Sequence, residues 1–239
     1  MRKFHYIIAK HNDEIYDKYI AKSMVGKNVI IVEDSDELTS MTKKYNEGIK
    51  RLGKIHKDDS VIFIHEDVNI LDHLFESRLA MALASNPDVG VLGVYGTTHY
   101  TGGGWWSFER DTYAVGSIMQ MVKSGQIYNM RDNLPPYSIR KDLVTIDGCM
   151  MVARADVLNQ VKFDEGIKGY HQYDNSFCLE VLLNTKYKIG VGDFSILHAS
   201  EGEPDEDWMN ESLSLINRYK ELGLKLPLTS KNIKEVNYG

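Results

Sequence analysis

The sequence predicts an α/β protein, a single domain in which a mostly parallel sheet is flanked by helices. Three observations predict it. Short apolar segments alternate with segments of helical periodicity over the first 95 residues. Acidic residues follow several of these apolar segments, as ligand-binding side chains do at the carboxyl ends of parallel strands. The 239 residues, 43% of them apolar and 26% charged, suffice for one substantial core.

The first half of the chain carries the clearest elements. Ser35 or Asp36 is the expected cap of the first long helix, and Gly53 is its expected stop. Asn86-Pro87 ends the second long helix, because a proline disfavours helix at the residue before it. Helical crossovers between strands predict parallel pairing. The predicted strands are 4–9, 28–34, 61–64 and 89–95, and the predicted helices are 37–52 and 72–84.

The second half of the chain is less regular. Glycine, proline and aromatic residues are frequent between Gly96 and Asp142, a composition that is typical of long substrate-binding loops. Regular elements are predicted again after this stretch. The predicted elements are a ribbon at 114–128, an interrupted strand at 144–153, a strand at 187–191, and helices at 155–160, 173–185 and 205–222.

Composition argues against several classes of partner. A net charge of −6 and a pI near 5.8 oppose binding to nucleic acid or to an anionic membrane, which requires a basic face. No apolar run reaches the roughly 20 residues of a membrane-spanning helix. Cys149 and Cys178 lie among apolar neighbours and the N-terminus lacks an apolar signal core, so we expect a cytoplasmic protein without a disulfide framework.

Acids and a histidine after predicted strands are the candidate metal ligands. Glu66 and Asp67 closely follow the apolar strand 61–64, where a hard cation and its phosphates would bind; solvated loop acids are the alternative. His198 follows a second apolar segment, 194–197, and is either a ligand or an ordinary packed or exposed histidine. An imidazole ligand favours Mn²⁺ over Mg²⁺.

Other positions admit two interpretations each. Asp147 interrupts an apolar strand, so it either faces a sugar-binding cavity or forms an Asp-Gly turn with Gly148. Asp174, at the predicted start of a helix, is either a catalytic carboxylate or an N-cap. Trp105 and Trp106 either stack on a sugar or pack as loop anchors.

Six short motifs, taken in order, point to a known family. They are Asn46-Glu47-Gly48, His65-Glu66-Asp67-Val68, Asp147-Gly148, Phe163-Asp164-Glu165, His171-Gln172-Tyr173-Asp174 and His198-Ala199-Ser200-Glu201-Gly202. With them the chain resembles, over roughly residues 4–202, the glycosyltransferase-like family of the streptomycin-biosynthesis type, in the GT-A class related to family 2. The resemblance implies a Rossmann-like GT-A fold, a nucleotide-sugar donor and a divalent cation.

The resemblance also implies roles for individual residues. Asp174 would be the base of an inverting transfer, and Asp67 and His198 would hold the cation. His65 stands where the usual pattern has an acid. The residues expected to contact the donor nucleotide are Ala9, Lys10, Glu33, Asp34, Asn46, His65, Glu66 and Asp67, and those expected near the donor sugar or the acceptor are Asp147, Gly148, Trp105, Trp106, His171 and Tyr173.

The resulting prediction is a metal-dependent, inverting glycosyltransferase that moves a sugar from a UDP-sugar to a hydroxyl of a glycan, lipid-linked, peptide or small-molecule acceptor. In this prediction 1–95 bind the nucleotide, 96–202 serve the acceptor and catalysis, and 203–239 form a C-terminal helix and tail. A sugar nucleotidyltransferase is one alternative, although the first strand lacks a glycine-rich, lysine-bearing phosphate loop beside it. A degenerate, non-catalytic transferase that binds glycans is the other.

Overall fold

The computed structural model describes residues 3–102, 110–200, 206–225, 227–231 and 233. Trp105 and Trp106, which are predicted to contact sugar, lie outside the described residues, as do Glu201 and Gly202 of the last motif. The strands are β1 (Phe4–Lys10), β2 (Asn28–Glu33), β3 (Ser60–His65), β4 (Val68–Ile70), β5 (Val89–Gly93), β6 (Tyr95–Thr97), β7 (His99–Tyr100), β8 (Ala114–Met121), β9 (Ile127–Asp132), β10 (Ile139–Leu143), β11 (Thr145–Ile146), β12 (Met150–Arg154), β13 (Lys188–Gly192), β14 (Ile196–His198) and β15 (Leu228–Thr229). The helices are α1 (Asp13–Tyr19), α2 (Met41–Leu52), α3 (Phe75–Ser85), α4 (Arg110–Tyr113), α5 (Ala155–Leu158), α6 (Tyr173–Asn184) and α7 (Glu206–Glu221), with a 3-10 turn at Ala21–Met24.

The central sheet runs in the order β10-β13-β5-β12-β3-β1-β2 within the described part of the chain. β1 pairs in parallel with β2 and β3, and β5 pairs in parallel with β13. β12 is antiparallel to both β3 and β5, and β10 is antiparallel to β13. The predicted α/β class is therefore confirmed, but the sheet is mixed where a mostly parallel one was predicted, because β12 lies antiparallel between β3 and β5 and β10 is antiparallel to β13.

A second sheet runs in the order β11-β6-β8-β14-β4, and β9 pairs with β8. The chain passes between the two sheets at Val94, which separates β5 from β6, and again at 147–149, which separate β11 from β12. The apolar runs 89–95 and 144–153, each predicted as one strand, are therefore divided between the sheets. These crossings bring strand ends from both sheets together.

Packing explains why β3 lies at the centre. Val61, Ile62, Phe63 and Ile64 are fully buried, so this strand is covered on both faces, as its unbroken apolar run predicts. Val61 and Phe63 join one apolar cluster with residues of α2 and α6, whereas Ile62 and Ile64 join another with residues of α3. Burial of each side chain of this size contributes about 1.5–3 kcal/mol.

The helix α2 begins later than predicted. Ser40 is the N-cap of this helix, in place of Ser35 or Asp36. The Ser40 hydroxyl accepts a hydrogen bond at 3.3 Å from the N–H of Lys43. The hydroxyl of Ser35 closes a separate turn by accepting from the N–H of Leu38. Gly53 ends the helix as predicted, with a φ of 69°.

The C-terminal part packs back on the domain. Leu215 and Tyr219 of α7 are buried, and β15 pairs antiparallel with β7.

α3 begins at Phe75, three residues after the predicted start at Asp72. Among the described residues, no helix combines the length and the apolar character that crossing a membrane requires.

Candidate active site

Strand pairing brings the motif residues to one place. β3 ends at His65 where the antiparallel β12 begins, and the N–H of His65 donates to the carbonyl of Cys149 at 3.0 Å. β4 and β14 are also antiparallel, with His198 opposite Val68. Asp67 precedes Val68, and the backbone carbonyl of Asp67 accepts a hydrogen bond at 3.0 Å from the N–H of Ala199, which follows β14. Two separate strand pairs therefore converge on these side chains.

His65, Asp67 and His198, here called the metal triad, present ligand atoms within 4.8 Å of one another. Asp67 Oδ1 lies 3.5 Å from His198 Nε2 and 3.8 Å from His65 Nδ1. Within the described residues, Asp67 Oδ1 and His198 Nε2 are buried polar atoms without a hydrogen-bond partner. Buried polar atoms of this kind are costly unless something pairs with them. Two imidazoles and one carboxylate are a donor set that fits a divalent transition metal.

Gln120 orients the imidazole of His198. The two residues lie opposite each other in the parallel pair of β8 and β14, and His198 Nδ1 is 3.1 Å from Gln120 Oε1. The amide oxygen accepts from Nδ1–H, which leaves the lone pair on Nε2, the nitrogen nearest to Asp67. Sequence analysis missed Gln120 because the contact joins residues 78 positions apart. Only the long-range pairing of β8 with β14 reveals it.

Tyr173 holds the second imidazole. His65 Nε2 is hydrogen-bonded to the Tyr173 hydroxyl. Burial lowers the pKa of His65, which favours the neutral imidazole, and burial also keeps the pKa of the Tyr173 hydroxyl well above its usual range. A Cβ at Gly148 would overlap the Tyr173 ring and hydroxyl, so glycine is required there for this contact. Gly148 and Tyr173 thus shape the site together.

Asp174 lies in the first turn of α6, as predicted. Its Oδ2 accepts a hydrogen bond from the N–H of Gly148 at 2.9 Å, and its Oδ1 accepts one from the N–H of Asn175 at 2.7 Å. Burial, followed by the nearby carboxylate of Asp147, raises the pKa of Asp174 to about 7, against the opposing effect of these backbone donors. A carboxyl group with such a pKa exchanges its proton near neutral pH, as a general base requires.

Asp147 forms a turn and faces the site at the same time. Its Oδ1 accepts a hydrogen bond from the N–H of Cys149 at 2.8 Å, which closes a turn around Gly148. Its carboxylate, Cys149 Sγ and an imidazole nitrogen of His198 also lie within 4.8 Å of one another. Of the two interpretations that the sequence left open, the structure shows the turn, and the role of Asp147 in a sugar-binding cavity stays a prediction.

Glu66 fixes the loop that follows β1. Its carboxylate accepts hydrogen bonds from the N–H of His11 at 2.9 Å and from the N–H of Asn12 at 3.1 Å. Lys10, at the end of the same strand, pairs with Glu33 at 2.9 Å across the parallel pair of β1 and β2. The ends of the first three strands are therefore tied together by their side chains.

A second polar cluster, here called the Asp34 cluster, contains Asp34, Lys44, His11 and Tyr170. Lys44 is 1% exposed and pairs with Asp34, which also accepts from the Tyr170 hydroxyl at 3.2 Å and is hydrogen-bonded to His11. Burial acts to raise the pKa of Asp34, but the hydrogen bonds of Lys44 and His11 outweigh it and lower the pKa. Sequence analysis missed Lys44, although it adjoins Tyr45 on the buried face of α2.

Other predicted donor residues have structural partners. Asn46 Nδ2 donates to the carbonyl of Phe163 and to Glu165 Oε1, both at 2.9 Å, and Asn46 Oδ1 accepts from the N–H of Phe163 at 3.2 Å. Its amide therefore joins two of the six motifs, and contact of Asn46 with the donor stays a prediction. Ala9 is 7% exposed within β1, and His171 is partly exposed two residues before α6.

Comparison with a family model decides the family. The model described as "Glycosyltransferase like family" matches residues 6–220. The chain belongs to this glycosyltransferase-like family. Membership supports glycosyl transfer as the general activity, and the streptomycin-biosynthesis type within the family remains a prediction. No curated protein matches the chain.

Solved structures with the same fold support the GT-A architecture of this family member. Residues 1–349 of TarS from S. aureus align with a TM-score of 0.56 and 14% identity, covering 98% of this chain and 69% of that one. A second TarS structure aligns with a TM-score of 0.54 and 14% identity, covering 98% of this chain and 42% of that one. The chain thus spans less than half of that longer TarS chain.

Proposed function

We propose that this family member is a metal-dependent, inverting glycosyltransferase that moves a sugar from a UDP-sugar to an acceptor hydroxyl. One observation carries the proposal: Asp67 Oδ1 and His198 Nε2 are buried 3.5 Å apart and, among the described residues, have no hydrogen-bond partner. Asp174, with its pKa raised to about 7, belongs to the same group of motif residues. Cation ligands and a base are the two components that this reaction requires.

Asp67 and His198 are the residues that we assign to the cation, with His65 as their neighbour. The carboxylate oxygen suits hard divalent cations, and the imidazole nitrogen favours Mn²⁺ over Mg²⁺. When bound, the ion supplies positive charge that stabilises the diphosphate leaving group of the donor. The side chains of Asp67 and His65 are 22% and 26% exposed, so these two residues border solvent.

Asp174 is the residue that we assign as the general base. It takes the proton from the acceptor hydroxyl as that oxygen attacks the anomeric carbon from the face opposite the leaving group. Its raised pKa makes the carboxylate a stronger base than an exposed aspartate, while about half of the groups remain deprotonated at pH 7. The N–H groups of Gly148 and Asn175 hold its two oxygens in place.

The donor nucleotide is assigned to the ends of β1 and β2. Glu33 has a side chain that is 68% exposed, and its Oε1 accepts from Lys10. We assign its other oxygen to the ribose hydroxyls or to the uracil N–H. Under this proposal 1–95 bind the nucleotide and 96–202 serve the acceptor and catalysis. Glycans, lipid-linked intermediates, peptides and small molecules are the acceptor classes that share the required hydroxyl.

Calorimetric titration tests the proposal. The protein is titrated with UDP-, GDP-, CMP- and dTDP-sugars, each with Mn²⁺ and with a chelator. We expect a UDP-sugar to bind with Mn²⁺ and to lose most of its affinity with the chelator. Binding that is identical in both conditions would contradict the role of the metal. Binding of glycans without any nucleotide-sugar would favour the degenerate, non-catalytic alternative.

A further inference from the structure

A second set of metal-ligand atoms adjoins the metal triad. Asp147, Cys149 and His198 present a carboxylate oxygen, Sγ and an imidazole nitrogen within 4.8 Å of one another. This set shares His198 with the triad but differs from it in chemistry, because it replaces an imidazole with a thiol. Neither the family match nor the fold likeness assigns a role to Cys149.

The backbone holds these ligand atoms in place. The N–H of Cys149 donates to Asp147 Oδ1 at 2.8 Å, and the carbonyl of Cys149 accepts from the N–H of His65 at 3.0 Å. Cys149 is therefore fixed on both sides of its Cα, and its side chain is fully buried. The Asp147 carboxylate is also hydrogen-bonded to the Cys149 thiol, and burial holds the pKa of that thiol well above its usual range, so a metal must displace this proton in order to bind Sγ.

His198 provides an independent reason to expect a ligand here. The residue is 8% exposed, and Nε2 is a buried nitrogen with no hydrogen bond to any part of the chain that the structure describes. The bond between Nδ1 and Gln120 keeps the lone pair on Nε2. Because Nδ1 is engaged with Gln120, we assign Nε2 as the nitrogen that the two sets of ligands share.

We propose that Asp147, Cys149 and His198 form a second metal site, which takes a thiophilic divalent cation of the Zn²⁺ class. Thiolate, imidazole and carboxylate are the common ligands of Zn²⁺, whereas Mn²⁺ prefers oxygen ligands over sulfur. Binding forms a bond between the metal and Sγ and releases the thiol proton to the buffer, so charge and atoms balance.

The shared histidine makes the two sites compete. Nε2 has one lone pair, so His198 cannot serve a cation at Asp67 and another at Cys149 simultaneously. A thiophilic cation therefore displaces Mn²⁺ from the metal triad, and this competition rests on the proposed function. The existence of the second site does not depend on it.

Cobalt substitution tests the site with a spectroscopic readout. Co²⁺ bound to a cysteine thiolate shows a ligand-to-metal charge-transfer band in the near ultraviolet, which Co²⁺ bound to nitrogen and oxygen alone lacks. We expect this band when Co²⁺ is added, without oxygen, to the metal-free wild-type protein, and we expect Zn²⁺ to abolish it. Absence of the band in the folded wild-type protein would overturn the proposal.

The two cysteines of the chain offer a matched control. Cys178 is equally buried, on α6, and is not in either set of ligands. Cys149→Ser should lose the band and bind Zn²⁺ at least about tenfold more weakly, whereas Cys178→Ser should keep both. Cys149→Ala serves if the serine variant does not fold, as judged by circular dichroism. A band that survives in Cys149→Ala, or that is lost only in Cys178→Ser, would overturn the assignment.

A further variant separates this proposal from the proposed function. Asp67→Asn removes a ligand of the metal triad and leaves Asp147, Cys149 and His198 intact. The Co²⁺ band should persist in this variant, whether or not Asp67 takes part in glycosyl transfer. Loss of the band in a folded Asp67→Asn protein would show that the cysteine is not part of a separate site and would overturn the proposal.

Discussion

Two polar clusters each contain an aspartate that follows a strand of the central sheet, Asp34 after β2 and Asp67 after β3, and they differ in how completely their atoms are paired. In the Asp34 cluster, Asp34 is hydrogen-bonded to Lys44, His11 and Tyr170. In the metal triad, Asp67 Oδ1 and His198 Nε2 have no such bond within the described residues. Native proteins pair nearly all buried polar groups, and the proposed cation would supply the partner that these two atoms lack. We expect the paired cluster to contribute more to the stability of the fold.

The largest expected effect concerns Asp174, whose carboxylate we assign to proton transfer. Asp174→Asn keeps the size of the side chain but removes the base, so kcat should fall by about 10²–10⁴-fold while UDP-sugar affinity stays within a factor of a few. Steady-state kinetics and calorimetry measure the two quantities. Asp142→Asn, at an exposed aspartate paired with Arg140, is the control. A near-normal kcat in Asp174→Asn would rule out the assigned base.

A stability comparison separates the two clusters. Asp34→Asn leaves Lys44, which is 1% exposed, without its carboxylate, and should lower the free energy of unfolding by about 2 kcal/mol. This value lies below that of a fully buried pair because the Asp34 side chain is 36% exposed. When a chelator is present, Asp67→Asn should change the free energy of unfolding by less than about 1 kcal/mol. Chemical denaturation measures both, and equal losses would remove the distinction between the clusters.

The raised pKa of Asp174 predicts two pH effects. kcat should rise with pH on the acid side with an apparent pKa of about 7, because the base must be deprotonated. Stability should change in the opposite direction. Between about pH 4 and 7 the folded protein holds a proton that the unfolded chain has lost, so stability falls as pH rises.

The pH profile of kcat in the wild-type protein tests the first effect, and Asp174→Asn tests the second. It should remove this part of the slope when unfolding is measured from pH 4 to 8 with a chelator present. An unchanged slope in the variant would show that Asp174 has an ordinary pKa in the folded protein.

The smallest expected effect concerns Gln120, which contacts His198 and not the substrate. Gln120→Leu removes the acceptor for Nδ1–H and should weaken Mn²⁺ binding by about 10–100-fold, with little change in kcat at saturating Mn²⁺. Gln126→Leu, in the turn between β8 and β9, is the control. Unchanged Mn²⁺ affinity in Gln120→Leu would show that Nε2 needs no orienting partner.

Sequence patterns predicted the elements that depend on local chemistry. The apolar run 61–64 identified β3 because burial on both faces leaves a continuous apolar signal. The predicted start of α2 was wrong because Ser35 and Ser40 can both cap a helix. The choice between them depends on tertiary contact, since the N–H of Met41 donates to the carbonyl of Gly169 at 3.0 Å.

Residues placed by long-range pairing escaped the sequence analysis. Gln120 reaches His198 through the pairing of β8 with β14, and Lys44 reaches Asp34 across the packing of α2 on the sheet. No local pattern encodes either contact. The sequence nominates Asp67, His198 and Asp174 because they belong to ordered motifs, whereas the residues that contact them are spread over the chain.

Direct titration with Mn²⁺ tests the central claim that the unpaired triad is a metal site. Electron paramagnetic resonance reports unbound Mn²⁺, so bound metal is measured without donor or acceptor. We predict that the wild-type protein and Asp142→Asn bind Mn²⁺ with the same affinity. Asp67→Asn and His198→Ala should lose that binding. Equal binding by all four proteins would contradict the account, because the unpaired atoms of Asp67 and His198 would then have no part in holding a cation.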